Sequence, residues 1–423
     1  MTWSALLAPS LLLAAPTAPA PASDGWPQYN GPTSARTADA SLARAEFPAR
    51  GPKVVWRQDT GSGFSSFVLA GDRAYMVDGR REKGEVREVL VALDASSGKE
   101  VWSTPLGVPE YDGGGGAGAP GNDGGDGPRS TPSIVDGRVY VYDAAMVLHA
   151  FDAKSGKEAW SVDVRSEHGG REIRWQNAAS PLVDGGRVYV AGGGKGSSLL
   201  AFDAKSGELA WAVGDELMTH ATPIAADLHG EHQIIFYVQS GLVALDPETG
   251  DERWRIGFPY RISSAASPVA HGEHVFVSAG YGVGGAVVHV AKDGDGFAPD
   301  FVWHKRNKRM NHWSTPVAKD GYLYGMFSFK KYGKGPMKCV EIATGDIMWE
   351  KSGFGPGNVI LVGDHLVALG DAGQLVVVDA TPDEYRERGR AELLDGKCWS
   401  SPAYADGRVY VRSTKEAACV ELK

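Results

Sequence analysis

Short apolar runs with a period of two recur along the whole chain, each stopped by Gly, Pro, Asn or Asp. In "VALDASSGKEVW" (91–102) alternating apolar residues lead to an Asp, a small polar turn closes on Gly, and a second short run ends in Trp. The alternation predicts a strand with one buried face. The Asp-Ser-Gly chemistry predicts a tight turn with Gly at positive φ. A second strand then carries a Trp that packs on a neighbouring element, so the unit is a β-hairpin. It returns as "HAFDAKSGKEAW" (149–160), "LAFDAKSGELAW" (200–211), "VALDPETGDERW" (243–254) and, shortened, "VEIATGDIMW" (340–349). The repeat residues are Asp94, Asp152, Asp203 and Asp246 in the turns, and Trp56, Trp102, Trp160, Trp211, Trp254, Trp303 and Trp349 in the strands.

A second pattern precedes each hairpin. "TPSIVDGRVYVYD" from Thr131 and "SPAYADGRVYVRS" from Ser401 show it well: Ser/Thr-Pro, a short strand, a turn, then a β-branched and aromatic strand. Pro is tolerated at the first residue of a strand. The two patterns make four strands per unit, and the Trp residues fall 43 to 58 positions apart. A period of this size with four strands predicts an all-β fold, a β-propeller of four-stranded antiparallel blades. Eight first strands are expected near Phe67, Thr131, Ser180, Thr222, Ser267, Thr315, Asn358 and Ser401. The seventh unit is degenerate, with three strands and no Trp after them. The eighth stops after its third strand, which would leave an open edge. "PKVVWRQDTG" (52–61) matches a Trp strand and stands ahead of unit one, so the N-terminal segment is expected to close the last blade.

Composition refines this picture. With 56 Gly and 24 Pro in 423 residues, turns dominate over long helices. The net charge of −9 argues against nucleic acid or an anionic membrane as a general partner. Residues 1–22 carry no charged side chain; the apolar stretch Leu6–Ala15 is too short to span a bilayer and is followed by Ala-x-Ala steps. This reads as a secretory signal peptide, although no Lys or Arg precedes the apolar stretch. The organisation expected is therefore signal peptide 1–22, lead-in 23–50 and propeller 51–423, exported to the periplasm or beyond as a soluble monomer. Cys339, Cys398 and Cys419 fit no zinc spacing. Cys398 and Cys419 either form a disulfide or are, with Cys339, buried thiols.

The "ALDAxTGxxxW" hairpin with its "SPxVxDGxVYV" partner resembles the pyrroloquinoline-quinone (PQQ) repeat family. That family includes eight-bladed quinoprotein alcohol dehydrogenases and the non-catalytic outer-membrane assembly factor BamB. The lead-in "DGWPQYNGPTSART" (24–37) is similar to one seen in secreted proteins with these repeats. The resemblance implies the fold. It also implies either a protein- or ligand-binding scaffold, or a dehydrogenase needing PQQ and a divalent metal held by carboxylates and an amide, beside a disulfide of adjacent cysteines. No adjacent cysteine pair is present.

The segments leading into the inner strands are where any chemistry must lie, since they crowd the central channel. They supply Arg129, Arg174, Trp175, Asn177, His220, Arg261, Asn311, His312, Trp313, Asn358, Lys397 and Trp399. Only Asp126 adds a carboxylate, and hard cations need clustered oxygen ligands. No catalytic or metal-binding residue is assigned, and no cofactor is expected outside the dehydrogenase reading. The set suits an anionic or sugar-like ligand or an acidic peptide; its bland alternative is that the Trp pack between blades and the Arg cap the surface. The basic run "HKRNKRMNHW" (304–313) is expected to be a solvated loop. "YDGGGGAGAPGNDGGDGPRS" (111–130), with Asp112, Asn122 and Asp123, fits no EF-hand spacing. "GYGVGG" (280–285) lacks a following helix and reads as a turn.

Overall fold

In the computed structural model, eight sheets stand around a central axis among the described residues, 25–42, 45–82, 84–109, 127–306, 308–329 and 331–422. The predicted signal peptide, the acidic residues Asp112, Asp123 and Asp126, and Asn122 lie outside the described residues. The first blade runs Val68–Ala70, Arg73–Glu82, Glu85–Asp94 and Glu100–Pro105 from the axis outward. The other inner strands are Ser133–Val135, Leu182–Asp184, Ile224–Leu228, Val269–His271, Val317–Lys319, Asn358–Val362 and Ala403–Ala405. The all-β eight-bladed propeller is thus the architecture found, with one helical turn, Val164–His168, capped by Asp163. Closure also follows the expectation. Lys53–Asp59 pairs antiparallel with Glu416–Glu421 of the last blade, Trp56 opposite Cys419.

Two sets of contacts join the blades. The first lies near the axis and explains the Ser/Thr before each Pro. The backbone N–H of Ser66 donates to the Thr131 hydroxyl at 2.9 Å, that of Thr131 to Ser180, and that of Ser180 to Thr222. Ser267 N–H reaches Thr315, and Ser401 N–H returns to Ser66. Each hydroxyl satisfies a buried donor that a Pro-led strand start would otherwise strand.

The second set lies further out and explains the hairpin. Trp102 Nε1 donates to the Ala153 carbonyl of the next blade at 3.2 Å; Trp56, Trp160, Trp211 and Trp303 do the same to Ala95, Ala204, Pro247 and Ile342. The Tyr75, Tyr140 and Tyr410 hydroxyls share those carbonyls with the Trp. Each turn is held by its Asp: Asp94 Oδ1 accepts from the N–H of Ser96 and Ser97, and the bonds from those two serines pull its pKa down to about 2. The turn Gly has positive φ, and it also forms the seat for the indole. A Cβ at Gly156 would lie 2.5 Å from the Trp102 ring, and one at Gly98 2.6 Å from Trp56.

The exceptions follow the same logic. Trp254 faces a blade whose outer hairpin, Gly284–Asp293 and Gly296–Lys305, lacks this turn, and its indole donates instead to Gln233 in its own blade. The degenerate seventh blade does have a fourth strand, Glu387–Glu392, with Gly389 in the register where other blades carry Trp. Blade eight is split between the two ends of the chain, so it has no turn on which a Trp from blade seven could sit. Phe47 of the lead-in covers Gly389 instead, so close that a Cβ there would be 2.6 Å from its ring.

All three cysteines are free and buried, which settles the disulfide alternative in favour of buried thiols. Cys339 and Cys419 stand opposite Trp349 and Trp56, where the first four blades place Ala92, Ala150, Ala201 and Ala244. They act as small apolar side chains, and burial pushes their thiols up, to about 12 and about 11.

In the basic run 304–313, Arg306 and Lys308 are exposed, as a solvated loop would have them, while two other charges are fastened. Lys305 pairs with Asp346 at 2.9 Å and Arg309 Nε donates to the Gly345 carbonyl, which fastens the run to the outer turn of blade six.

Replacing Trp211, 7% exposed, by Ala removes both seat and hydrogen bond. Urea unfolding should show a loss of about 3–5 kcal/mol. Trp211→Phe keeps most of the packing and should cost about 1 kcal/mol.

Candidate functional site

The lead-in runs through the central channel and touches the inner strands of seven blades. Trp26 and Leu69 exchange backbone hydrogen bonds at 3.1 and 2.8 Å, and Ile134 N–H donates to the Pro27 carbonyl. Gln28 Oε1 accepts from Val183 N–H and the Ser34 hydroxyl from Ala225 N–H. Asn30 Nδ2 donates to the Ser267 hydroxyl. Thr37–Ala38 pairs in parallel with Leu361–Val362 of blade seven, making that sheet five-stranded. Arg36, 1% exposed, donates through Nε and Nη2 to the Val359 carbonyl and through Nη2 to the Ser401 hydroxyl.

This plug turns the channel into a blind funnel. On one side lies a cavity of about 1040 Å³, counting its open mouth, with Tyr29 of the plug among its lining residues. Beyond the plug lies a separate hollow, bordered by Pro27, Gln28 and Pro32 of the same segment. The funnel wall is aromatic over one half. Trp399 lies 4.6 Å from Trp313 and 4.7 Å from Phe64, ring centre to ring centre. His312 lies 4.5 Å from Trp313 and 5.2 Å from Tyr281. The other half holds Arg129, Trp175, His220, Thr222 and Ser263. Arg129 Nη1 donates to the Trp175 carbonyl at 2.8 Å.

His220 is buried and neutral at neutral pH. Its Nε2 contacts the Arg174 carbonyl at 3.0 Å, which makes Nε2 the protonated nitrogen, and Nδ1 accepts from the Ser263 hydroxyl at 3.2 Å. Desolvation, then the charge of Arg129, pulls its pKa down to about 4. Trp175 and Tyr281 hold left-handed backbone, φ 68° and 57°. Non-glycine residues in that region store about 1–3 kcal/mol and cluster at binding sites.

Of the sequence-predicted residues, Arg129, Trp175, His220, His312, Trp313 and Trp399 are brought together on the cavity wall. Asn177 is spent on structure: its Nδ2 donates to the carbonyls of Tyr142, Asp143 and Ala179. Asn358 Nδ2 donates to the Trp399 carbonyl and Asn311 Nδ2 to that of Met326. Lys397 lies behind the wall, its Nζ 4.6 Å from the ring centres of both Tyr332 and Trp399. Arg174 lies over the Trp175 ring at 4.5 Å. Arg261 is exposed and does not line the cavity.

Sequence reasoning missed Tyr29, Phe64 and Tyr281. The "GYGVGG" stretch is a turn, as expected, but its Tyr281 faces the funnel. Only the aromatic residue inside that glycine-rich turn marked it in the sequence.

Among the described residues no Asp or Glu lines the cavity, and there is no cluster of three His, Cys, Asp or Glu able to bind a metal ion. Asp371, a buried carboxyl near Lys397, accepts from Gly333 N–H, and burial raises its pKa. A wall of rings, hydroxyls and guanidinium does not fit the oxygen-ligand set a calcium-bound quinone needs.

The sequence signature described as "Outer membrane protein assembly factor BamB" matches residues 45–126 and 86–326. The chain belongs to this family of PQQ-like repeat propellers. It is 26% identical over 267 residues to the BamB of Moranella endobia (strain PCIT), covering 59% of this chain and 64% of that protein. It is 31% identical over 143 residues to the quinohemoprotein alcohol dehydrogenase ADH-IIG of Pseudomonas putida, covering 30% of this chain and 19% of the enzyme. The matches therefore span less than two thirds of either relative. The crystal structure of BamB from Moraxella catarrhalis superposes with a TM-score of 0.59 at 14% identity, covering 88% of this chain and all but 1% of that one (99%). That last likeness concerns the fold alone. Propellers of the BamB family thus share repeats with enzymes, and the mouth segments must separate the two roles.

The folded pKa of His220 lies below the unfolded value of about 6.5, so the unfolded chain binds the proton more readily. Its contribution is full above pH about 6.5 and is lost as the pH falls toward 4. Urea unfolding at pH 7 and pH 5 should show the margin of the wild type over His220→Gln shrinking at pH 5. A margin independent of pH would show that His220 is not held neutral by burial.

Proposed function

We propose that this chain is a non-catalytic binding propeller of the cell envelope, BamB-like in role, that holds a partner at the plugged funnel. The observation that carries this reading is the composition of the funnel: aromatic faces, Arg129, a neutral His220 and hydroxyls, with no carboxylate among its lining residues. Such a wall binds rings and anions by stacking and charge. Its described residues supply neither a carboxylate base nor a set of oxygen ligands for a hard metal. Partners of suitable chemistry are an envelope protein, an extended acidic peptide or a small anionic or sugar-like ligand. An extended peptide also has outer blade edges available for strand addition. Export through residues 1–22 is part of the proposal, as is a soluble monomer. Among the described residues no helix is long and apolar enough to cross a membrane.

The quinoprotein reading is favoured by the similarity to quinohemoprotein alcohol dehydrogenases, 31% identity to that of Pseudomonas putida among them. Two measurements separate the readings. Immobilised protein should retain an envelope component that the Trp313→Ala, Trp399→Ala double variant no longer retains. Protein mixed with PQQ and calcium should reduce no dye above background with alcohols or sugars. Dye reduction that depends on the protein would overturn the proposal.

A further inference from the structure

The charges around the funnel are already committed to the fold. Arg129, the only Arg or Lys among its described lining residues, donates through Nη1 to the Trp175 carbonyl and has a further partner. Arg36 is buried, hydrogen-bonded to neutral oxygens and does not line the cavity. His220 is neutral, and no carboxylate lines the funnel among the described residues. A charged guest would lose its water here and gain no uncommitted opposite charge, which is costly.

Two hydroxyls on the wall are half-used, in opposite senses. Thr222 Oγ1 accepts from Ser180 N–H at 2.9 Å, and its own proton meets no acceptor among the described residues. Ser263 gives its proton to His220 Nδ1 at 3.2 Å and keeps its lone pairs. One of them can donate to a guest and the other can accept, and a sugar hydroxyl does both. A purely apolar guest would strip water from the pair and return no hydrogen bond. Trp175, Trp313, Trp399 and Tyr281, all partly exposed on the wall, add apolar faces on which the C–H side of a ring can lie. The plug shuts the far end, so a chain cannot thread through and only a single unit or a chain end can enter. Resting on the binding reading above and narrowing it to one class, we infer that the funnel takes a neutral pyranose, stacked on these rings with its hydroxyls bonded to Thr222 and Ser263.

Methyl β-D-glucopyranoside is the direct probe, followed by intrinsic Trp fluorescence. Saturable binding is expected, with a Kd of about 1 mM or tighter, and unchanged in about 0.5 M NaCl because no ion pair is made. Sodium glucuronate should bind no tighter, and cyclohexanol, a ring of the same size with a single hydroxyl, about tenfold more weakly. Ser263→Ala should weaken the glucoside about fivefold and leave cyclohexanol as it was, with unchanged circular dichroism. Trp313→Ala should weaken both about tenfold. Tighter binding of cellotetraose than of the glucoside assigns the pyranose to the end of a glycan chain; equal binding assigns it to a free sugar. No saturable glucoside binding, tighter binding of glucuronate or of cyclohexanol, or undiminished glucoside binding by Ser263→Ala each overturn the inference. If one of these occurs while Trp313 and Trp399 still govern capture of an envelope component, the ligand class is wrong and the binding reading stands. Dye reduction with PQQ and calcium removes both.

Discussion

Five blade junctions of this propeller depend on one contact, a Trp indole lying on the Gly of the next blade's turn with its N–H on the adjacent carbonyl. A four-stranded sheet exposes its outer strand and would leave that large ring in water. The Gly seat buries it, and the Asp-held turn fixes the carbonyl that the indole needs. Neither half of the contact has a purpose without the other, so stability is shared around the ring. The hydroxyl chain from Ser401 through Ser66, Thr131 and Ser180 does the same work near the axis. Closing the last blade with the N-terminal strand Lys53–Asp59 makes the ring continuous, but splits that blade between the chain ends. Blade seven then has no seat to use. Gly389 and Phe47 are the consequence, a local exception produced by a global requirement.

That asymmetry also explains what the sequence disclosed. The period, the Asp turns, the Ser/Thr-Pro starts and the closing strand are local signals repeated many times, and all were legible. The fourth strand of blade seven was not, because the reading relied on a Trp that this position cannot use. Cys339 and Cys419 could be read as buried thiols, Cys419 also as half of a disulfide with Cys398, but only their register opposite Trp shows that they replace the Ala of other blades. At the mouth, Asn177 and Arg261 shared a segment type with Trp175 and His220 but not an orientation. One amide turned to the backbone, and one guanidinium turned to solvent. Sequence position places a residue near the funnel; only backbone geometry, such as the left-handed Trp175 and Tyr281, points it inward.

The lead-in was the largest gap. It has no repeat and little periodicity, so nothing local told where Trp26 to Ala38 would go. Its path is fixed by partners scattered from Leu69 to Ser401, contacts that exist only after the ring has formed. Once in place it decides what the channel is. Without it the inner strands would line an open pore; with it they line a blind funnel whose floor includes Tyr29.

Function in such a fold is therefore set by few residues. The repeats maintain the ring whatever the mouth contains, which is how one architecture serves both assembly factors and dehydrogenases. Here the described residues of the mouth combine stacked rings with Arg129, and the plug holds the buried Arg36 among neutral oxygens. The same segment that closes the funnel therefore decides how deep a partner can reach, while the repeats only hold the wall in place.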